Sequence, residues 1–193
     1  MLLILRLPAA EAIWLAELAE SRGVNVFEVT ATQPDYWDAF HQLRARWPNA
    51  EVGVGSLRTA DEVVAAADAG ADFAVSPVAV PDGAQNAQNA GMRFIEGAST
   101  PTEIHLAHKR GADLVKVFPA HALGGPSYIR AVLAPMPDLR LMPAGNVSTS
   151  EASAYLDAGA TAVAIGSSIA EPEDLLKRDS AAVLARLDDL PLL

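Results

Sequence analysis

Three observations on this 193-residue chain predict an α/β fold, specifically a single (β/α)8 TIM barrel. The first is a recurring motif: a helical end, a glycine, then a short apolar run. It appears at Ser21-Arg22-Gly23-Val24, Asp68-Ala69-Gly70-Ala71, Asn89-Ala90-Gly91-Met92, Lys109-Arg110-Gly111-Ala112 and Asp157-Ala158-Gly159-Ala160. Each glycine stands where a helix needs a left-handed C-terminal residue, and each following run reads as a strand buried on both faces. The second is the spacing, about 20 to 25 residues, the length of one compact strand-helix unit. The third is composition: 51% hydrophobic but only 6% aromatic, which implies an aliphatic, alanine-rich core suited to close packing of helices on a sheet. Eight alternating units in so short a chain fit a closed barrel better than an open doubly wound sheet.

Taken in order, the apolar runs predict strands over 2–6, 24–29, 51–54, 72–75, 93–96, 113–117, 139–142 and 161–165. Amphipathic patterns between them predict helices over 9–21, 35–46, 60–69, 81–90, 101–110, 126–134, 149–158 and 173–187. Four helices carry start signals: Pro34-Asp35, Ser99-Thr100-Pro101-Thr102-Glu103, Gly125-Pro126-Ser127 and Ser148-Thr149-Ser150-Glu151. No linker or low-complexity stretch interrupts the series, so one domain is expected over 1–193.

The totals narrow the function. A formal net charge of -10 argues against a nucleic-acid or anionic-membrane partner, though not against a small anionic substrate held by a few local donors. The absence of cysteine excludes disulfides and thiolate chemistry. The opening Met1-Leu2-Leu3-Ile4-Leu5-Arg6 lacks the pattern of a signal peptide, and no run approaches a membrane span, so a cytoplasmic protein is expected. The four histidines show no zinc-site spacing, and no metal or other cofactor is expected.

A barrel collects its chemistry at the C-terminal ends of its strands. The polar residues there are Arg6, Glu28, Thr30, Ser56, Ser76, Glu96, Lys116, Asn146, Ser167 and Ser168. Lys116 is the most informative. It is one of three lysines and the only one set in an apolar run, Leu114-Val115-Lys116-Val117-Phe118. A buried ammonium is costly unless paired or deprotonated, and a neutral amine is the nucleophile for imine formation with a carbonyl. The competing reading is a structural lysine paired to a buried carboxylate. Glu28, in Val24-Asn25-Val26-Phe27-Glu28-Val29, is either a proton carrier for that chemistry or the lysine's ion-pair partner. Arg6 either grips a substrate carboxylate with its planar fork or is a plain surface arginine. Two glycine turns, Pro143-Ala144-Gly145-Asn146-Val147 and Ile165-Gly166-Ser167-Ser168, lie where barrels often bind a phosphate.

These residues resemble the bacterial 2-keto-3-deoxy-6-phosphogluconate (KDPG) aldolases and their phosphogalactonate relatives, class I enzymes that work through a Schiff base. The resemblance runs through nearly the whole chain. It is sharpest at Phe27-Glu28-Val29-Thr30, Gly53-Val54-Gly55-Ser56, Val75-Ser76-Pro77, Leu114-Val115-Lys116-Val117-Phe118-Pro119-Ala120 and Gly125-Pro126-Ser127-Tyr128-Ile129-Arg130. It implies that Lys116 forms the imine and Glu28 moves the protons. It implies substrate contacts from Arg6, Ser56, Pro77 and Phe118, and phosphate contacts from Gly145, Asn146, Gly166 and Ser167. The implied reaction cleaves a 2-keto-3-deoxy-6-phospho sugar acid to pyruvate and glyceraldehyde 3-phosphate, or a close variant on another 2-keto acid such as 4-hydroxy-2-oxoglutarate, without metal, in a homotrimer.

The chain departs from the family pattern at several places. Thr32 stands where many members carry an arginine, Ser56 replaces a threonine, and Ala144-Gly145-Asn146 replaces Thr-Gly-Gly or Val-Gly-Gly. Two alternatives therefore stand beside the aldolase: another phosphate-binding barrel enzyme, an isomerase or synthase, and a non-catalytic barrel descended from the aldolases.

Overall fold

The computed structural model describes residues 1–191. The strands are β1 (Leu2–Leu5), β2 (Val26–Thr30), β3 (Glu51–Gly55), β4 (Phe73–Val75), β5 (Arg93–Ala98), β6 (Leu114–Val117), β7 (Leu141–Pro143) and β8 (Ala164–Ile165). The helices are α1 (Ala9–Glu20), α2 (Tyr36–Arg46), α3 (Ala60–Asp68), α4 (Gly83–Asn89), α5 (Pro101–Lys109), α6 (Pro126–Leu133), α7 (Ala152–Asp157), α8 (Pro172–Lys177) and α9 (Ser180–Asp188). All strand pairings are parallel, in the order β7-β6-β5-β4-β3-β2-β1-β8. The order bends the sheet into a barrel with one gap, between β7 and β8. Among the described residues only the Thr161 and Ala162 amides reach across there, to the Leu141 carbonyl at 2.9 and 3.5 Å.

The expected eight alternating units are present, with three differences at the edges. The helix expected over 173–187 is two helices, because Arg178 turns into the left-handed region (φ 51) and the Asp179 carboxylate accepts from the Ala182 amide to start α9. That carboxylate satisfies an amide the new helix would otherwise leave bare. The helix expected over 149–158 begins as a 3-10 turn, Thr149–Glu151. The strand expected over 161–165 pairs only at Ala164 and Ile165.

The start signals are read correctly in kind, and one of them serves a different helix. Thr100 and Glu103 form a reciprocal capping box at α5. Asp35 instead accepts from the Ala9 amide at 2.8 Å, so it caps α1 rather than its own helix.

Strand side chains alternate between two cores. The outward set, such as Phe27, Val29, Val52 and Val54, packs against helix residues that include Ala12, Ala16, Phe40 and Leu43. Burial of each large side chain here stabilises by about 1.5–3 kcal/mol. The inward set is smaller: Leu2, Phe73, Val75, Ile95, Met142, Ala144 and Ala164. Gly53 explains how one aromatic ring fits inside so narrow a barrel. A Cβ on Gly53 would lie 2.2 Å from the Phe73 ring, so the missing side chain is the space that the ring fills. Phe73 and its neighbours plug the lower barrel, and the upper end is left to polar groups.

Candidate active site

Above that plug the inward positions become small or ionisable. On β2 the face that carries Val26 next presents Glu28 and then Thr30, both fully buried. On β3, the strand beside it, Gly55 faces Glu28, and a Cβ at Gly55 would fall 1.9 Å from Glu28 Oε1. The glutamate therefore lies in a slot that exists because residue 55 has no side chain.

Neither Glu28 oxygen has a hydrogen-bond partner among the described residues, Lys116 included. The buried ion pair offered as the alternative for these two residues does not form. Burial pushes the Glu28 carboxyl above the ordinary carboxylate range, and the positive charges of Lys116 and Arg6 pull it back only in part.

Lys116 enters the barrel from β6, four strands round from β2. It is 3% exposed, and its Nζ stands 5.5 Å from the centroid of the Phe118 ring, a cation–π distance. Phe118 is itself held. The Ser99 hydroxyl donates to the Phe118 carbonyl at 2.5 Å, and the Tyr128 hydroxyl donates to the Ser99 carbonyl at 2.6 Å. The Phe118 ring in turn rests against Gly145, where a Cβ would come within 2.9 Å of it.

A cavity of about 270 Å³ opens at this end of the barrel. Of the ten expected site residues, Arg6, Lys116, Phe118, Gly145, Asn146, Gly166 and Ser167 line it. The two late turns thus reach the same space as the lysine. Asn146 holds a left-handed backbone (φ 53) and Gly145 likewise (φ 91), so the turn is one that glycine or asparagine suits.

Three expected residues stand elsewhere. Glu28 is fully buried and does not line the cavity. Ser56 sits beside it at the end of β3, where it accepts from Arg6 Nη2 at 3.4 Å. Pro77 lies outside the cavity: its backbone packs over Gly97, and it borders a separate cleft of about 190 Å³ with Ser99, Glu103 and Arg110.

Sequence reasoning passed over Gly55 as a member of the site, although glycines two apart on one strand face were a legible signal of something large opposite. It also passed over Ser99, whose hydroxyl fixes the β6 end through a contact that no local pattern reveals. Among the described residues no three His, Cys, Asp or Glu side chains gather as metal ligands would. No helix among them is long and apolar enough to cross a membrane.

The arrangement offers one amine facing an open cavity, one carboxyl held in a buried slot, one guanidinium at the rim, and two glycine turns opposite. An amine and a proton carrier so placed suit carbonyl chemistry through an imine.

Comparison with known proteins agrees. Residues 2–186 match the family model described as KDPG and KHG aldolase. The 2-dehydro-3-deoxy-phosphogluconate aldolase of Haemophilus influenzae is 34% identical over 148 residues, spanning 77% of this chain and 70% of the relative. The KHG/KDPG aldolase of Escherichia coli K12 is 31% identical over 166 residues, 86% of this chain and 78% of the relative. In fold, the chain superposes on the KDPG aldolase of Legionella pneumophila, solved with pyruvate captured as a covalent carbinolamine. The TM-score is 0.87 at 24% identity, covering 99% of this chain and 94% of the other.

Proposed function

The chain belongs to the KDPG and KHG aldolase family, and we propose a role for each residue of its site in a class I aldolase reaction. The reaction is reversible cleavage of a 2-keto-3-deoxy-6-phospho sugar acid to pyruvate and glyceraldehyde 3-phosphate.

Lys116 attacks the C2 carbonyl to give a carbinolamine. Glu28 protonates the departing hydroxyl, water leaves, and a protonated imine remains. As the bond between C3 and C4 breaks, its electron pair moves into that iminium, and the C4 hydroxyl gives its proton to Glu28, now a carboxylate, to leave an aldehyde. Reprotonation of the enamine at C3 and hydrolysis return free lysine and pyruvate. Arg6 holds the C1 carboxylate, assisted by Ser56. Phe118 flanks the imine carbon, and the amides around Gly145, Asn146, Gly166 and Ser167 receive the phosphate. Pro77 keeps only an indirect part, through the packing of its backbone on β5.

One observation carries this reading. The single amine that reaches the cavity sits in the same barrel as a fully buried carboxyl that has no structural partner. A lysine and a glutamate kept for stability would be bonded to each other, because an unpaired buried ionisable group costs several kcal/mol.

The test is intact mass after incubation with pyruvate and borohydride, followed by peptide mapping. One reduced pyruvyl adduct, on Lys116, is expected. A folded chain that takes up no adduct would point to another phosphate-binding barrel enzyme or to a barrel without catalysis.

The proposal extends to a cytoplasmic homotrimer, which rests on the family resemblance. Light scattering is expected to give the mass of three chains, and the mass of one chain would remove that part alone.

A further inference from the structure

Arg6 follows β1 and Ser56 follows β3, and β2 lies between those strands. The hydrogen bond from Arg6 Nη2 to Ser56 Oγ must therefore cross above the C-terminal end of β2. The pairing of Ile4 with Glu28 and of Leu5 with Val29 brings Arg6 alongside the end of β2, where Thr30 and, two residues earlier on the same face, Glu28 are both at 0% exposure. Arg6 lines the cavity and Glu28 does not. The arginine is thus a strap drawn over the carboxyl.

Its far anchor is unusual in its own right. Ser56 holds φ 65, a left-handed conformation that costs a non-glycine residue about 1–2 kcal/mol. Strain of this kind persists where the surroundings impose it, and it gathers at working parts of a site.

We infer that Ser56 is a positioning residue that parks Arg6 over Glu28, and that the carboxylate of an incoming 2-oxo acid is the group that lifts the strap. The inference rests on the proposed aldolase reading. A carboxylate offers the guanidinium two charge-assisted hydrogen bonds, which outcompete one neutral hydroxyl at 3.4 Å. Once Arg6 turns to the substrate, Glu28 meets the cavity and can take a proton from the carbon next to the imine. A ketone without a carboxylate forms its imine with Lys116 only slowly, without Glu28 as the acid, and leaves the strap shut. Selection for 2-oxo acids is then made at the proton-transfer step as well as at binding.

Acetone is the probe, because it can form the imine and carries no carboxylate. Each cycle moves one methyl proton from carbon to Glu28 and returns one deuteron from the solvent. The measurement is therefore uptake of deuterium by acetone and by pyruvate in heavy water, followed by NMR. In Ser56→Ala acetone exchange is expected to rise several-fold, up to about tenfold, the scale of one lost hydrogen bond. Ser56→Thr keeps a hydroxyl and should bring acetone exchange back below that of Ser56→Ala.

Were Ser56 only a ligand for the substrate carboxylate, Ser56→Ala would slow pyruvate exchange and leave acetone untouched. That result, or a fall in acetone exchange, overturns the strap while the aldolase reading stands. A wild-type chain that forms no pyruvate adduct on Lys116 overturns both. The fold is not at stake, since Ser56 is partly exposed and its hydroxyl makes this one contact.

Discussion

Lys116→Met is expected to abolish cleavage and borohydride trapping together, with the fold unchanged. The methionine has nearly the length of the lysine stem and fills the same apolar run between Val115 and Val117, both buried. Lys116 is 3% exposed, and its Nζ lies over the ring of Phe118. The exchange therefore breaks no ion pair. An unpaired buried ammonium is costly to a fold, so replacing it by an apolar side chain of similar length is expected to be neutral or stabilising. Circular dichroism should match the wild type, with an equal or higher melting temperature. Rate and stability would then move in opposite directions, which separates a chemical role from a structural one. Residual turnover near the wild-type level would rule out the imine.

Glu28→Gln is expected to lower turnover by about 10²–10⁴-fold, the usual range for a lost general acid–base. Imine formation should persist at a reduced rate, since the amine is intact. Unchanged turnover would remove Glu28 from the proton path.

The same variant carries a pH signature. Burial raises the Glu28 carboxyl above its ordinary value of about 4.5. In the window between the unfolded and folded values the unfolded chain has lost the proton that the folded chain keeps. The Glu28 contribution to stability is therefore full below about pH 4.5 and is lost as pH rises through the folded value. Glutamine has no such proton. The stability of Glu28→Gln relative to wild type should climb as pH rises through that window. Urea melts at several pH values would show it, and parallel curves would mean that Glu28 is not held neutral.

What the sequence revealed depended on whether a residue's meaning was local. Lys116 was legible because a charge in a five-residue apolar run has few explanations. The glycines that end the helices were legible because their backbone requirement lies within one turn. The break at Arg178 was hidden, because arginine is an ordinary helix residue and nothing nearby announces a left-handed conformation. Pro77 was placed by its neighbours in a motif, yet the bend after β4 carries it to a different cleft. The crossing from Arg6 to Ser56 joins residues 50 apart in the chain, and Gly55 matters only because Glu28 comes to lie against it. Such facts arise from strand register, which no single segment contains.

The gap between β7 and β8 makes the barrel a split ring rather than a hoop. The closing seam, β1 with β8, joins Leu2 and Leu3 to Ala164 and Ile165. The first strand is thus stitched to the last while the ring stays cut one strand earlier. A hoop resists opening all the way round, but a split ring spreads at its cut. Gly145 and Asn146 stand on one lip of the cut and Gly166 and Ser167 on the other, both facing the cavity. A molecule gripping the two lips at once would act as the missing rung.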